Sequence, residues 1–295
     1  MKKTRPFLIP LCLCVLTVSA ITPCYAGDGV AGDCASLENK SDFLAAAECY
    51  YKTDKSKALS LYIKSYEKEK NYEAALKIGD CYYYGYGVSA EDPAKAAEYY
   101  EAGASLGSGE AAKKAGDMYY GGKGVKKDHG AALKYYIQAE RLLPRSYKGE
   151  TCGLIGDIYY ADDASQIAVN FGQAYKYYLK AYYDGYYASA KKIAAMFDEG
   201  KGFEKDAAKA RMWLENGAKN GDSSAAKELF GRCMSGSSGE KDNVCAYTWA
   251  SVLHTVYPSD SDYASSVSEL EQKLSAEEIS AAKLKAGAYA KKYSL

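Results

Sequence analysis

The residues able to do chemistry are few in kind and regular in spacing. The chain has two histidines, His129 and His254. That excludes most histidine metal sites and makes a histidine general base improbable. Neither stands beside a recurring serine or cysteine. Nine cysteines occur, none in a Cys-x-x-Cys pair, so neither a zinc knuckle nor a thioredoxin-type centre is signalled. What does recur is a carboxylate: Glu48, Asp80, Asp117 and Asp157, each followed three residues later by Tyr51, Tyr83, Tyr120 and Tyr160. Such paired columns suit recognition, because tyrosine offers large area, few rotors and a hydroxyl. The alternative reading is packing between repeats with only the hydroxyl wet, since aromatic stripes at helical spacing usually line a core. A second cluster, Tyr182, Tyr183, Tyr186 and Tyr187, carries the same two readings. No carboxylate pair stands out as catalytic, and no cofactor or metal site is signalled.

These columns belong to a unit that occurs six times. One apolar column runs Cys49, Cys81, Met118, Ile158, Met196, Cys233, with steps of 32, 37, 40, 38 and 37 residues. Two positions earlier every unit is small: Ala47, Gly79, Gly116, Gly156, Ala194, Gly231. The second half of each unit opens on Asp54, Asp92, Asp128, Asn170, Asp206 or Asp242. Four residues on stands Ala58, Ala96, Ala132, Ala174, Ala210 or Ala246. A large side chain follows three to four positions later, such as Tyr99/Tyr100, Tyr135/Tyr136 or Trp213. Asp and Asn are helix N-caps, and Pro93 after Asp92 suits the first helical position. Gly85/Gly87, Gly122/Gly124 and Gly200/Gly202 end the first helix of their units, where a left-handed backbone is needed. The small columns are expected to bring two helix backbones close, one row facing the other. One short helix pair cannot bury its apolar face, but a stack of pairs can.

The motif Ala75-x-x-x-Gly79-Asp-Cys81-Tyr-Tyr-Tyr-Gly85-Tyr-Gly87-Val88, then Asp92-x-x-x-Ala96, resembles the Sel1-like repeat of the wider tetratricopeptide-like group. Ala112–Val125 and Gly156-Asp-Ile158-Tyr-Tyr match it in register, and the match covers roughly Asp42 to Leu253. Unit four departs, with Ala161–Val169 in place of the Gly-x-Gly loop. Unit six departs too, with a Ser/Gly-rich loop to Glu240. The resemblance implies an all-α, right-handed α/α solenoid of residues 42–254. Capping helices over 255–295 would close it: one over Tyr263–Leu274, then one opened by a Ser275/Glu278 capping box. It also implies a concave face that holds a protein or peptide. Weak β-lactamase activity has been associated with some such proteins, so Ser-x-x-Lys pairs matter. Five exist: Ser65/Lys68, Ser189/Lys192, Ser224/Lys227, Ser238/Lys241 and Ser280/Lys283. About three are expected by chance, and the companion Ser-Asp-Asn and Lys-Thr-Gly motifs are absent.

Met1–Ala26 reads as a secretory signal: Lys2, Lys3 and Arg5, an apolar run over Phe7–Ile21, then Cys24-Tyr25-Ala26. The run of about 15 residues is short of the roughly 20 a spanning helix needs. Cleavage after Ala20 and an uncleaved anchor are the alternatives. Pro23 before Cys24 argues against a lipoprotein start. The mature chain, without a further membrane span, is expected to be periplasmic or secreted. Residues 27–41 are Gly/Asp-rich and expected to be mobile. Lys+Arg and Asp+Glu are 38 each, so no basic excess exists to bind nucleic acid. Loss of the signal removes three basic residues and no acid, leaving a net charge of −3.

Six cysteines then remain, which in an exported chain reads as disulfides. Cys233 and Cys245 fall on the two helices of unit six and are expected to bridge them. Cys34–Cys49 would pin the N-terminal segment to unit one. The pairing of Cys81 with Cys152, two units apart, is left open, and a buried thiol suffices to explain Cys49, Cys81 and Cys233. Taken together, the expected function is an exported, non-catalytic scaffold or adaptor. Tyr51, Tyr83, Tyr120 and Tyr160 and the four carboxylates would form its binding face. A peptidoglycan- or β-lactam-directed hydrolase and a secreted host-protein-binding factor are the alternatives.

Overall fold

A computed structural model describes residues 30–161, 167–236 and 241–293. The proposed signal, most of the unit-four turn and Ser238 lie outside the described residues. Within them every regular element is a helix. Six antiparallel pairs follow one another: α2 (Phe43–Tyr50) with α3 (Lys55–Glu69), α4 (Tyr72–Tyr84) with α5 (Pro93–Ser105), and α6 (Gly109–Gly121) with α7 (His129–Leu142). Next come α8 (Arg145–Tyr160) with α9 (Phe171–Tyr183), α10 (Ser189–Glu199) with α11 (Ala207–Lys219), and α12 (Ser223–Ser235) with α13 (Asn243–Val256). Helix α1 (Val30–Asn39) precedes them, and α14 (Ser261–Glu271) and α15 (Ala276–Ala290) close the array on α13. From α1 to α14 each helix packs mainly on its neighbours in sequence, while α15 folds back on α13, so the fold is an α/α solenoid with a closing helix.

Local chemistry explains the helix ends. Asp54, Asp92, Asp128, Asn170, Asp206 and Asp242 each cap the second helix of a unit. In every case the side chain accepts from the backbone N–H three residues on. Each such cap stabilises by about 1 kcal/mol. Gly85, Gly122 and Gly200 end first helices in the left-handed conformation. The second glycine of the turn serves a different need. Gly87 lies against the Lys55 carbonyl and Gly124 against Pro93, leaving no room for a Cβ. The turn is therefore laid onto the second helix of the preceding unit.

The small residues do not face one another as expected. The glycine of the first helix receives a whole ring. A Cβ on Gly79, Gly116 or Gly156 would lie 2.5, 2.6 or 2.5 Å from Tyr100, Tyr136 or Tyr178. Those rings are fully buried, as is Tyr62 opposite Ala47. In units two to four a tyrosine ring, rather than the facing helix backbone, fills the space beside the first-helix glycine. Beside each ring a second pair stacks: Tyr82 on Tyr99 at 5.8 Å, Tyr119 on Tyr135 at 5.7 Å, Tyr159 on Tyr177 at 5.9 Å.

Both expected disulfides are present, Cys34–Cys49 and Cys233–Cys245, with Cα separations of 5.5 and 5.9 Å. Cys81 and Cys152 are buried free thiols. Burial pushes the first up to about 11 and the second up to about 12. The segment 27–41, expected to be mobile, carries α1. Its Gly/Asp content hides a helix that tertiary contacts hold, through buried Cys34 and a Lys57–Glu38 ion pair at 2.9 Å. At the other end, the Ser275/Glu278 capping box opens α15. Tyr289 of α15 stacks on Trp249 at 5.5 Å. The helix before it runs Ser261–Glu271 rather than Tyr263–Leu274: Asp260 caps it two residues earlier than expected, and it ends at Gln272.

Candidate binding groove

The carboxylate column is engaged inside the array. Glu48, Asp80, Asp117 and Asp157 accept hydrogen bonds, each at 2.8 Å, from the hydroxyls of Tyr62, Tyr100, Tyr136 and Tyr178. Each bond ties the two helices of one unit. Burial pushes these four phenols far above their ordinary value, and the facing carboxylates push them further, so they stay neutral donors. The two partners disappear together. Unit five has Ala195 and Leu214 at the same positions, and unit six has Arg232 and Ala250.

A lysine from the next unit reaches the same carboxylate. Lys77 pairs with Glu48 at 3.5 Å, Lys114 with Asp80 at 3.1 Å, and Lys192 with both oxygens of Asp157. These lysines stand four residues before the apolar column. Sequence reading passed over them, although their register with the acids was a usable signal. Unit four has Leu154 there, so no lysine comes to Asp117 from the next unit. Lys113 of its own helix pairs with it instead, at 3.1 Å, and also with Glu150 at 3.3 Å.

The tyrosines 51, 83, 120 and 160 are half-buried, tilted against Tyr62, Tyr100, Tyr136 and Tyr178 at 6.3–6.5 Å. The turn of the following unit covers three of them. Tyr86 packs edge-on against Tyr51, the Lys123 ammonium lies 3.7 Å from the Tyr83 ring centre, and Lys201 lies 4.6 Å from that of Tyr160. Tyr120 stacks on His129. Thus the structure brings these eight residues together as inter-helix and inter-unit packing, and little of the tyrosine column faces outward. In the second cluster Tyr182 packs on Trp213 and Tyr187, whereas Tyr183 is exposed.

An open groove does exist on the wall of first helices. Its volume is about 1080 Å³, and it runs over α4, α6, α8 and the α9–α10 turn. Tyr84 and Tyr147 stand at it with 49% and 68% of their surface exposed, beside Glu110, Asp117, Glu150 and Tyr186. A smaller hollow of about 370 Å³ shares Tyr84, Lys114 and Asp117 and adds Tyr83. So Asp117 and Tyr83, of the eight expected residues, border open space here. The groove arises from an irregularity. Helix α8 starts thirteen residues before its apolar-column residue, Ile158, whereas α4 and α6 start nine before theirs. The difference is about one helical turn, and it carries Ser146 and Tyr147. The step of 40 residues between Met118 and Ile158 was its signal in the sequence.

The Ser-x-x-Lys pairs form no common centre among the described residues. Ser65 and Ser189 are buried, Ser189 donates to the Tyr186 carbonyl, and Lys192 serves Asp157. Ser224 accepts from Lys191, Lys227 lies over Tyr257, and Lys283 pairs with Glu271. No group of three potential metal ligands occurs among those residues. Nor is any described helix long and apolar enough to cross a membrane.

A family model described as Sel1 repeat matches residues 44–69, 73–108, 109–142, 154–186 and 188–222. Among solved structures, a Sel1 repeat protein from Oxalobacter formigenes is similar at a TM-score of 0.55 and 22% identity. That match covers 74% of this chain and 82% of that one. A protective antigen present in uropathogenic Escherichia coli strains, displaying an SLR fold, matches at 20% identity and a TM-score of 0.36. It covers 88% and 70% of the two chains. No curated protein matches. With more than half of its residues in five matched repeats, the chain belongs to the Sel1 repeat family, whose fold is generally a protein–protein interaction scaffold and whose members are typically non-catalytic.

Proposed function

We propose that this chain is an exported, non-catalytic adaptor that holds a segment of another protein in the groove over α4, α6 and α8. One observation carries the reading: three successive first helices leave a common open groove with two exposed tyrosines. Exposed aromatic side chains of this kind are the usual anchors of protein recognition. Two disulfides and the signal-like Met1–Ala26 support export to the periplasm or beyond the cell. The eight residues expected as a binding face support it mostly by positioning the wall, with Asp117 in the groove lining and Tyr83 in the smaller hollow beside it.

The test is a comparative pull-down from fractionated cells with the oxidised protein and its Tyr84→Ala/Tyr147→Ala variant. Both substitutions are at exposed positions, so folding should be retained. A partner lost only with the variant supports the adaptor reading. A partner retained by the variant places binding elsewhere. Acylation by a labelled penicillin would overturn the non-catalytic reading, and recovery from culture supernatant rather than periplasm would favour a host-directed partner.

A further inference from the structure

We infer that the groove over α4, α6 and α8 selects a basic segment, whose Lys or Arg side chains meet the carboxylates of Glu110 and Glu150 and the exposed rings of Tyr84 and Tyr147 along one lining. This inference rests on the groove being the binding site and names what it binds. The argument is one of charge. Lys114 is matched by Asp80, and Asp184 by Arg145 at 2.8 Å. Three carboxylates of the lining, Glu110, Asp117 and Glu150, then face one ammonium, that of Lys113. The groove therefore holds two unmatched negative charges.

The surplus is local and has an identifiable origin. At the other three carboxylates of the column a lysine comes from the following unit, and at Asp117 the corresponding residue is Leu154. The lysine that remains, Lys113, is the more deeply set member of its pairs: its side chain is 22% exposed, against 42% for Asp117 and 58% for Glu150. An approaching ligand thus meets carboxylate oxygen before ammonium. Two exposed phenol rings stand in the same lining, and aromatic faces attract cations as carboxylates do. Cationic side chains suit both kinds of group. An acidic segment would add to an existing surplus and is disfavoured.

The experiment is selection of a random phage-displayed peptide library on the oxidised protein, followed by titration of the selected peptides as synthetic probes. The expected result is enrichment of Lys or Arg, with binding weakened about tenfold by Glu110→Gln/Glu150→Gln and weakened further at high salt. Leu154→Lys is the independent variant. It removes no carboxylate, supplies the lysine that units two, three and five carry at this position, and should weaken the same peptides. If Leu154→Lys does not fold, the glutamine variant, altered only at exposed positions, still decides the matter. Selected peptides that are neutral or acidic, lose binding with Tyr147→Ala and ignore the charge variants would overturn the basic-segment inference and leave the groove reading standing. Peptides indifferent to Tyr84→Ala and Tyr147→Ala, or no selected peptides, would overturn both.

Discussion

The hydroxyl of Tyr136 donates to the Asp117 carboxylate at 2.8 Å while its ring fills the notch left by Gly116. One tyrosine thereby does two separable things: it packs against a glycine of the first helix, and it anchors the residue beside that glycine. The same geometry recurs at Tyr100 with Gly79 and Asp80, and at Tyr178 with Gly156 and Asp157.

The two contributions can be divided by substitution. Gly116→Ala puts a Cβ 2.6 Å from a fully buried ring and should destabilise by about 1–3 kcal/mol. Gly231→Ala is the control at the same position of unit six, where a Cβ meets nothing within 4 Å. That change should stabilise by up to about 1 kcal/mol, as Gly to Ala does in an open helix interior. Tyr136→Phe keeps the ring and loses only the donor, so about 0.5–1.5 kcal/mol should go. Denaturant midpoints of the three variants check the order, and equal effects at Gly116 and Gly231 would refute the notch.

The tyrosine–carboxylate pairs also predict how the fold fails in alkali. Each phenol is raised well above its ordinary 10.0, by burial first. A group whose protonated form is favoured in the fold gives stability that is complete below its unfolded pKa and is lost above it. Stability should therefore be flat in this respect up to about pH 10 and fall beyond it. Ultraviolet titration should show a class of tyrosines that ionises only as helical circular dichroism is lost. Full ionisation of all tyrosines with the helices intact would contradict the buried pairs.

Much of this arrangement was legible in the sequence, and the parts that were not share a cause. Asp54, Asp92 and the other caps, the turn glycines and the Cys233–Cys245 bridge are local or lie within one helix pair, so residue type and spacing suffice to place them. The carboxylates at 48, 80, 117 and 157 read as part of a recognition face, because the donor that claims each lies 14 to 21 residues away on another helix. The tyrosines at 51, 83 and 160 carried two readings, ligand face or packing between repeats, because the turn that covers each belongs to the next unit. The groove was visible only as a step of 40 residues and as Leu154 at the position where units two, three and five have lysine. Neither feature has meaning until the wall is assembled.

The two disulfides should differ in what they hold. Cys233–Cys245 joins the helices of the last unit across 12 residues, and replacing both with alanine should cost on the order of 3 kcal/mol. Cys34–Cys49 joins α1 to α2, and α1 lies at the end of the array, held besides by Leu37 on the unit-one core and by the ion pair of Glu38 with Lys57. Replacing Cys34 and Cys49 should let the amides of Val30–Asn39 exchange rapidly while α4 to α13 keep their protection. Hydrogen exchange read by mass spectrometry checks this. Loss of protection throughout the array would mean that α1 is part of the solenoid's cooperative core.

Cys81 and Cys152 complete the cysteine chemistry. Both side chains are fully buried, Cys81 against the unit-one core and Cys152 in α8, and both thiols are pushed up by burial, to about 11 and about 12. A thiol reacts as its thiolate, so burial slows reaction twice, by blocking access and by suppressing ionisation. Alkylation of the native, oxidised protein near neutral pH should therefore leave Cys81 and Cys152 unlabelled, and denaturation without reductant should label both. The same experiment tests the disulfide assignment, because Cys34, Cys49, Cys233 and Cys245 should be labelled only after reduction. Labelling of Cys152 in the native state would have a specific meaning. Cys152 is fully buried, with Lys180 of α9 and Glu140 of α7 among its charged neighbours. Access there would require α8 to part from the helices packed on it.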